Sequence, residues 1–369
     1  MPCLSLPPLR RAIALSAPIV LGAGPAGSSA AIRLARAGRE PVLIDREETV
    51  GDCICGGFLS WRTAAQLREL GCGPESLGAH RAQRLRLYAG DAVAETALVE
   101  PGFGLSRHAL DTALRAAAVA AGTKLEIDRA RSVAPGCVSG SRREWRSDAI
   151  FLATGKHDVR GAMRPRKNRD PALGLRVRLP AGSPASTPVG DAIELHLFPG
   201  GYAGIVVQEG GSTNICLALR KSLLGSAASD PWRLLDMLAE DNPHFARRME
   251  GADHDLPIDT IAAVPYGWIA RSSEAGLYRL GDQAAVIPSL AGEGMSIALA
   301  SAEDAVEAYL AGVEAPQYQA RFAHRARRPV GIAEAIWHLA EHRRIAAPAT
   351  RLAGAAPWLT RAAMRLSRI

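Results

Sequence analysis

The sequence predicts a Rossmann-like α/β dinucleotide-binding domain joined to an antiparallel-sheet domain and followed by a helical tail. Three observations carry that expectation. A glycine-rich turn sits between a short apolar run and a helical stretch near the N-terminus. Residues 192–198 alternate with period two ahead of two further strand-like runs up to 219, and the composition turns Ala- and Arg-rich after Gly312. The 369 residues suffice for two domains with a sizeable core. With 48% hydrophobic and 22% charged residues the composition is globular, which excludes intrinsic disorder.

Residues 1–16, with Pro7–Pro8, read as a flexible leader. Arg10–Arg11 and the apolar run after them imitate a signal peptide. The run leads straight into a glycine turn whose loss would destroy a nucleotide site, so the protein is expected in the cytoplasm. Residues 17–21 (A-P-I-V-L) suit a buried parallel strand. Gly22-Ala23-Gly24-Pro25-Ala26-Gly27 follows, then a helix over 28–37 closed by Gly38. A second strand over 41–44 ends in Asp45 and Arg46. Gly22 allows the tight turn, Gly24 lets a pyrophosphate approach, and Gly27 lets helix and strand pack closely. The helix start offers free N–H groups to phosphates, and Asp45 can accept from ribose hydroxyls. Strand, loop, helix, strand and acid in this order select a dinucleotide site over a plain βαβ turn. They do not separate NAD from FAD.

The far end of the chain bears on that choice. Residues 277–282 form a strand ending in Gly281-Asp282; Ile287-Pro288 and Gly292-Glu293-Gly294-Met295 follow, then a helix over 296–310. With these segments the chain resembles flavoproteins of the p-hydroxybenzoate hydroxylase fold, and more narrowly their geranylgeranyl reductase-like branch. The resemblance implies bound FAD, with Gly281 and Asp282 on the ribityl chain and Gly292, Gly294 and Met295 beside the isoalloxazine ring. Cys55-Gly56-Gly57-Phe58-Leu59-Ser60 is similar to the segment that lies against the flavin in that family. Ser60 there N-caps a helix running to Leu70 and stopped by Gly71. Residues 105–111 resemble the family's Arg-x-x-Leu/Phe-Asp segment, which makes Arg107 a cofactor ligand. Residues 150–156 carry the Ala153-Thr154-Gly155 turn common to FAD-binding domains. The resemblance spans about residues 17–312. The cofactor set is therefore Gly22, Gly24, Pro25, Ala26, Gly27, Asp45, Arg46, Gly56, Arg107, Gly155, Gly281, Asp282, Gly292, Gly294 and Met295.

The domain organisation expected is a discontinuous FAD-binding domain (17–159 and 272–316), a substrate-binding sheet domain (160–271) and a basic helical tail (317–369). Within the sheet domain, strands are expected over 192–198, 202–207 and 213–219 with turns between them. The resemblance implies that this sheet roofs the flavin over a substrate cavity. Relatives often have Gly-Tyr-x-Trp followed by a Pro, whereas Gly204 and Val207–Gln208 stand in those places here. Tyr202, Tyr266 and Trp268 are candidates for an apolar pocket, and Cys55 for a thiol next to the flavin. Cys55, Tyr202 and Trp268 form the catalytic set. No second Gly-x-Gly-x-x-Gly anchors a nicotinamide domain, so NAD(P)H is expected as a transient reductant. Two chemistries follow. Oxygen-dependent hydroxylation of an aromatic or polyketide-like lipophilic compound, as in secondary metabolism, is placed first. Reduction of prenyl or activated double bonds is the alternative.

Other features carry less. The six cysteines make no disulfide framework, and Cys53 and Cys55 lack the second pair a zinc site needs. His338 and His342 share a helix face without a third ligand, so no metal is expected. Lys156-His157-Asp158 reads as a solvated loop. Residues 317–369 hold ten Arg and two acids, a net of +8 within a total of +7, so the other 316 residues carry −1. Ile332, Ala333, Ile336, Trp337 and Ala340 form one apolar stripe. In the last segment Leu359, Ala362, Ala363 and Leu366 lie on one side, with Arg361, Arg365 and Arg368 on another. These helices either pack on the body with Arg facing water or rest on anionic lipid as a peripheral contact. No aromatic interleaving marks a nucleic-acid surface. No run reaches the ~18 apolar residues of a membrane span. A monomer or homodimer acting on a lipophilic small molecule is expected.

Overall fold

The computed structural model describes residues 13–14, 17–165 and 170–369. The leader expected over 1–16 lies outside them except for Ile13–Ala14, which pairs in parallel with Trp145 and Arg146. The first large sheet has five strands, all parallel, in the order Leu277–Arg279, Ile150–Leu152, Ile19–Leu21, Val42–Asp45 and Lys124–Ile127. The three central strands are buried on both faces, which is why they read as unbroken apolar runs. Alternation then sorts their side chains. Val20, Leu43 and Phe151 join a core with Ile32, Leu34, Leu114, Ile297 and Leu299. Ile19, Leu21, Ile44 and Leu152 face the other way, onto Trp145 and Val138 of a small four-stranded sheet.

Seven helices matter for the site and its surroundings: α1 (Pro25–Arg36), α2 (Trp61–Glu69), α3 (Arg107–Ala120), α4 (Gly294–Leu310), α5 (Ala315–Ala340), α6 (Arg343–Ala355) and α7 (Pro357–Leu366). α1 packs against α3 and α4. From the Ile19–Leu21 strand the chain first crosses to Val42–Asp45 on one side and later returns to Ile150–Leu152 on the other, so its carboxyl end is the topological switch point where ligands bind in such sheets. Gly22 begins there.

The second large sheet has eight strands, in the order Asp259–Val264, Ala172–Leu179, Thr213–Arg220, Gly201–Val207, Ala192–Phe198, His80–Ala89, Ala92–Gly104 and Phe58–Leu59. The three strands expected within 192–219 are present. The sheet reaches beyond 160–271, however, because its last three strands come from residues 58–104, inside the stretch assigned to the FAD domain. One pair, Ala192–Phe198 with His80–Ala89, is parallel. Leu173, Leu175, Val177, Ala203, Ile205, Ile215 and Phe198 point away from the first sheet, onto Leu234, Leu235 and Phe245 of two short helices. The alternate residues point back toward it. Register aligns Leu195, Gly204, Cys216 and Arg176 in one row across four strands.

The tail is less of an appendage than its charge implied. Tyr318, Phe322, Ala326, Val330 and Ala333 of α5 belong to the core of the first domain. Only α6 and α7 lie outside it, and both rest on the Ala92–Gly104 strand.

Candidate active site and cofactor groove

At the switch point, Gly22 adopts φ +102° and donates its N–H to Ile44 O (2.8 Å). A Cβ at Gly27 would overlap Gly22 O, so α1 can approach its strand only with glycine there. Pro25 occupies the first turn of α1, and no side chain caps the helix, which leaves its N–H groups facing the groove. Asp45 accepts from Ala23 N (2.6 Å) and Glu47 N (2.9 Å), which fixes its carboxylate at the mouth of the turn. Arg46 lies alongside, exposed and paired with Glu47 (3.2 Å).

Arg107 reaches the same turn from α3: its guanidinium lies 3.5 Å from where a Gly24 Cβ would be. Ser106 caps α3 by accepting from Ala109 N (3.1 Å), and Asp111 holds Arg107 through two hydrogen bonds (2.8 and 2.6 Å). Burial works against the Arg107 charge, but Asp111 outweighs it and raises the pKa further. Across the groove, Lys156 Nζ lies 3.3 Å from Asp282 Oδ2. That pair raises the Lys156 pKa and keeps it an ammonium. Gln283 ties the Ala153-Thr154-Gly155 turn down by donating to Gly155 O (2.9 Å) and His157 O (3.1 Å). Gly281 N donates to Ser301 Oγ (2.8 Å), and Gly292 adopts φ +66° just before α4.

The eight-stranded sheet grips the Cys55 segment from above. Asn214 Nδ2 donates to Cys55 O (3.1 Å) and Gly56 O (3.0 Å). Arg176 donates to Cys53 O (3.2 Å) and Asp52 O (3.0 Å). Glu209 accepts from Ser106 N (2.8 Å), so the sheet also braces the start of α3. Cys55 Sγ accepts from Gly57 N (3.4 Å). Burial pushes the neighbouring Cys216 thiol up to about 12, so it stays protonated.

The groove and the Cys55 segment border one cavity of about 1010 Å³. It runs from Gly22–Ala26, Asp45 and Arg107 past Gly155 and Asp282 to Cys55, Gly56, Gly292, Gly294 and Met295. A Cβ at Gly56, Gly155 or Gly294 would meet no atom within 4 Å, so these glycines border open groove where an extended planar ligand can press on backbone. The cavity continues under the sheet, where Phe58, Leu85, Leu98, Ile193, Leu195 and Leu290 make an aliphatic and aromatic wall. Tyr202 donates to Ser289 Oγ (2.7 Å), and Tyr266 Oη lies 2.6 Å from the same hydroxyl. Trp337 stacks edge-on against Tyr202 (5.8 Å). Burial raises the pKa of both tyrosines, which remain neutral phenols.

Every expected cofactor residue except Gly27 lines this cavity, and Gly27 lies directly behind it in α1. So do Cys55 and Tyr202, while three expectations need correction. Trp268 packs beside Val264 and Val286 under the Arg164 guanidinium (5.9 Å) and does not line the cavity, because the Tyr266-Gly267 turn carries it outward. Lys156 is no part of a solvated loop, since its attraction to Asp282 draws it into the groove. Arg368 does not share the exposed side of Arg361 and Arg365. It is buried, paired with Glu293, donates to Ala291 O (3.1 Å) and covers the Trp61 ring (4.4 Å). Leu366 is exposed, on the side of α7 that carries Arg361 and Arg365. Ser289 and Met364 carry no signal in the sequence, because a lone Ser or Met gives none, and Glu293 was legible only as part of the Gly292–Met295 segment, not as the partner of Arg368. His338 is held by Glu341 (2.9 Å).

Fold and groove together are those of an α/β dinucleotide-binding protein with a sheet-roofed cavity. Residues 17–168 match the pyridine nucleotide-disulphide oxidoreductase family. Digeranylgeranylglycerophospholipid reductase 2 of Methanopyrus kandleri is 27% identical over 335 residues, which cover 83% of this chain and 80% of that one. A menaquinone reductase of Mycolicibacterium smegmatis is 35% identical over 114 residues, 30% of this chain; the match spans only 28% of that relative. Among solved structures, a flavin-dependent brominase superposes with a TM-score of 0.75 at 15% identity, over 95% of this chain and 92% of that one. The resemblance to FAD flavoproteins drawn from the sequence therefore stands. No helix among the described residues is long and apolar enough to cross a membrane.

Proposed function

We propose that the protein reduces carbon–carbon double bonds in a lipophilic, prenyl- or polyene-type substrate, with NAD(P)H as a transient reductant. The observation that carries this reading is the substrate end of the cavity. Its wall is largely aliphatic and aromatic, and the Cys216 thiol and the Tyr202 and Tyr266 phenols set in it are held neutral by burial. Such a wall suits a hydrocarbon chain, and the Asp259 carboxylate at its edge is held by Arg176. When bound, FAD supplies the electron pair for the reduction. Asp45, Arg107 and Asp282 would hold it, and Asn214 would fix the Cys55-Gly56 backbone that borders the groove. The hydroxyl cluster or the Cys55 thiol donates the proton that completes addition of two hydrogens across the bond. Two curated reductases among the sequence relatives support the same choice.

Hydroxylation is the second reading, favoured by the paired tyrosine hydroxyls at Ser289, which can orient an oxygen-bearing ring. Anaerobic incubation of the flavin-loaded protein with NAD(P)H and polyprenyl or polyene compounds separates the two. Product gaining two hydrogens per bond without oxygen is expected. Turnover only with oxygen uptake, giving product with one added oxygen, reverses the order.

A further inference from the structure

The last two helices turn their largest apolar side chains outward. α6 meets the sheet through Ala346 and Thr350, with Gly354 against Ala94. On its far side Ile345, Ala349 and Leu352 follow at helical spacing, and Ile345 and Leu352 are 39% and 56% exposed. On α7, Trp358 is 63% and Leu366 44% exposed, on the face that also carries Arg361 and Arg365. Because both helices rest on one strand, both outward faces look the same way. Exposed Arg344, Arg351, Arg361 and Arg365 stand among these apolar groups, and none of the four has an acidic partner among the described residues. From His342 to Ile369 the sequence has no acid at all.

Single exposed apolar residues need no explanation, but an aligned set with a tryptophan among unpaired arginines does. Tryptophan favours the boundary of hydrocarbon and water, and arginine keeps its charge at lipid phosphates while its stem lies on apolar surface. A second copy of this chain fits worse, since a two-fold contact would set the same basic face against itself. A nucleic acid would leave Ile345, Leu352, Trp358 and Leu366 without partners. We propose that the outward face of α6 and α7 docks on the surface of an anionic lipid bilayer. Met364 and Arg368, on the inner side of α7 and just after it, line the cavity, so a docked molecule holds that cavity wall against the membrane.

The test measures binding rather than turnover, so it stands or falls apart from the reductase reading. The full-length, flavin-loaded protein is sedimented with vesicles of phosphatidylcholine alone or mixed with phosphatidylglycerol, at low and high salt. Binding to the mixed vesicles at least about tenfold tighter than to phosphatidylcholine, and weakened by salt, is expected. Leu352→Ser with Trp358→Ser should lower that affinity about tenfold or more, with flavin content unchanged. Arg361→Gln with Arg365→Gln, which removes no apolar group, should erase the lipid preference. Absent or equal sedimentation on the two vesicle types overturns the proposal, as does unchanged binding by both variants. A dimer that dissociates in the serine variant, without vesicle binding by the parent, assigns the face to a second copy and overturns it too.

Discussion

Gly204 occupies a place where the resembled family often has tryptophan, and its consequence is spatial. It lies in the row Leu195–Gly204–Cys216–Arg176, on the face of the sheet that looks into the cavity. Neighbours of a Cβ at Gly204 lie at ordinary contact distance, the nearest being Tyr202 at 3.6 Å, so the backbone accepts a side chain. The glycine therefore leaves room that an indole would fill. Gly204→Trp should lower kcat/KM for a bulky prenyl substrate about ten- to a hundredfold while flavin content stays unchanged. Equal loss of flavin would show instead that the sheet had been displaced. The nearby residues teach a related lesson about the sequence. Gly22, Gly27 and Asp45 were legible because their contacts are local, within one βαβ unit. Lys156, Ser289 and Arg368 were not, because their partners Asp282, Tyr202 and Glu293 lie 75 or more residues away.

At the scale of elements, one buried carboxylate ties a helix to the roof of the site. Glu194, on the Ala192–Phe198 strand, faces away from the cavity and accepts from Arg248 of the Pro243–Met249 helix (2.7 and 2.8 Å), from Arg86 (3.2 Å) and from Tyr88 (3.4 Å). Burial opposes its charge, but hydrogen bonds from His196 and Arg248 prevail and hold its pKa at about 2. Burial also lowers the His196 pKa, so His196 is neutral at pH 7 and Arg248 supplies the opposing charge. With a folded pKa below the unfolded 4.5, the stabilisation is complete above 4.5 and disappears as pH falls through about 2. Glu194→Gln should cost about 3 kcal/mol in urea unfolding at pH 7, and the gap to the parent protein should close toward pH 2. A gap that stayed constant with pH would refute this assignment. The strands within 192–219 were readable from alternation at 192–198 and from the turn clusters that divide the rest. Those from 58–104 were not, since nothing local says which sheet a strand will join.

For the molecule as a whole, the junction between its end and its body rests on one buried ion pair. Arg368 reaches over Trp61 to Glu293, inside the segment that begins α4, and Arg62 donates to Ile369 O (2.8 Å). Burial, with Arg62 close by, brings the Arg368 pKa down to about 10, which leaves it charged at neutral pH. Removing it strands the Glu293 carboxylate in the interior. Arg368→Ala should therefore destabilise the protein by about 3–5 kcal/mol and speed proteolysis within residues 343–366; Arg368→Ala with Glu293→Ala should recover part of the loss. Equal melting of the single variant and the parent would mean that the pair contributes nothing. Composition had placed the basic excess at this end correctly. It could not distinguish Arg368, turned inward, from Arg361 and Arg365, turned outward, because helical spacing alone does not say which side meets the sheet.

α7 is thus a partition with two inhabited sides. Met364 closes one end of the substrate space, and Leu366, two residues on, belongs to the exterior. Any change that rotates or replaces this helix alters both at once. Exchange of residues 343–369 with those of a relative would carry the shape of the pocket's end and the character of the outer face as one inheritance.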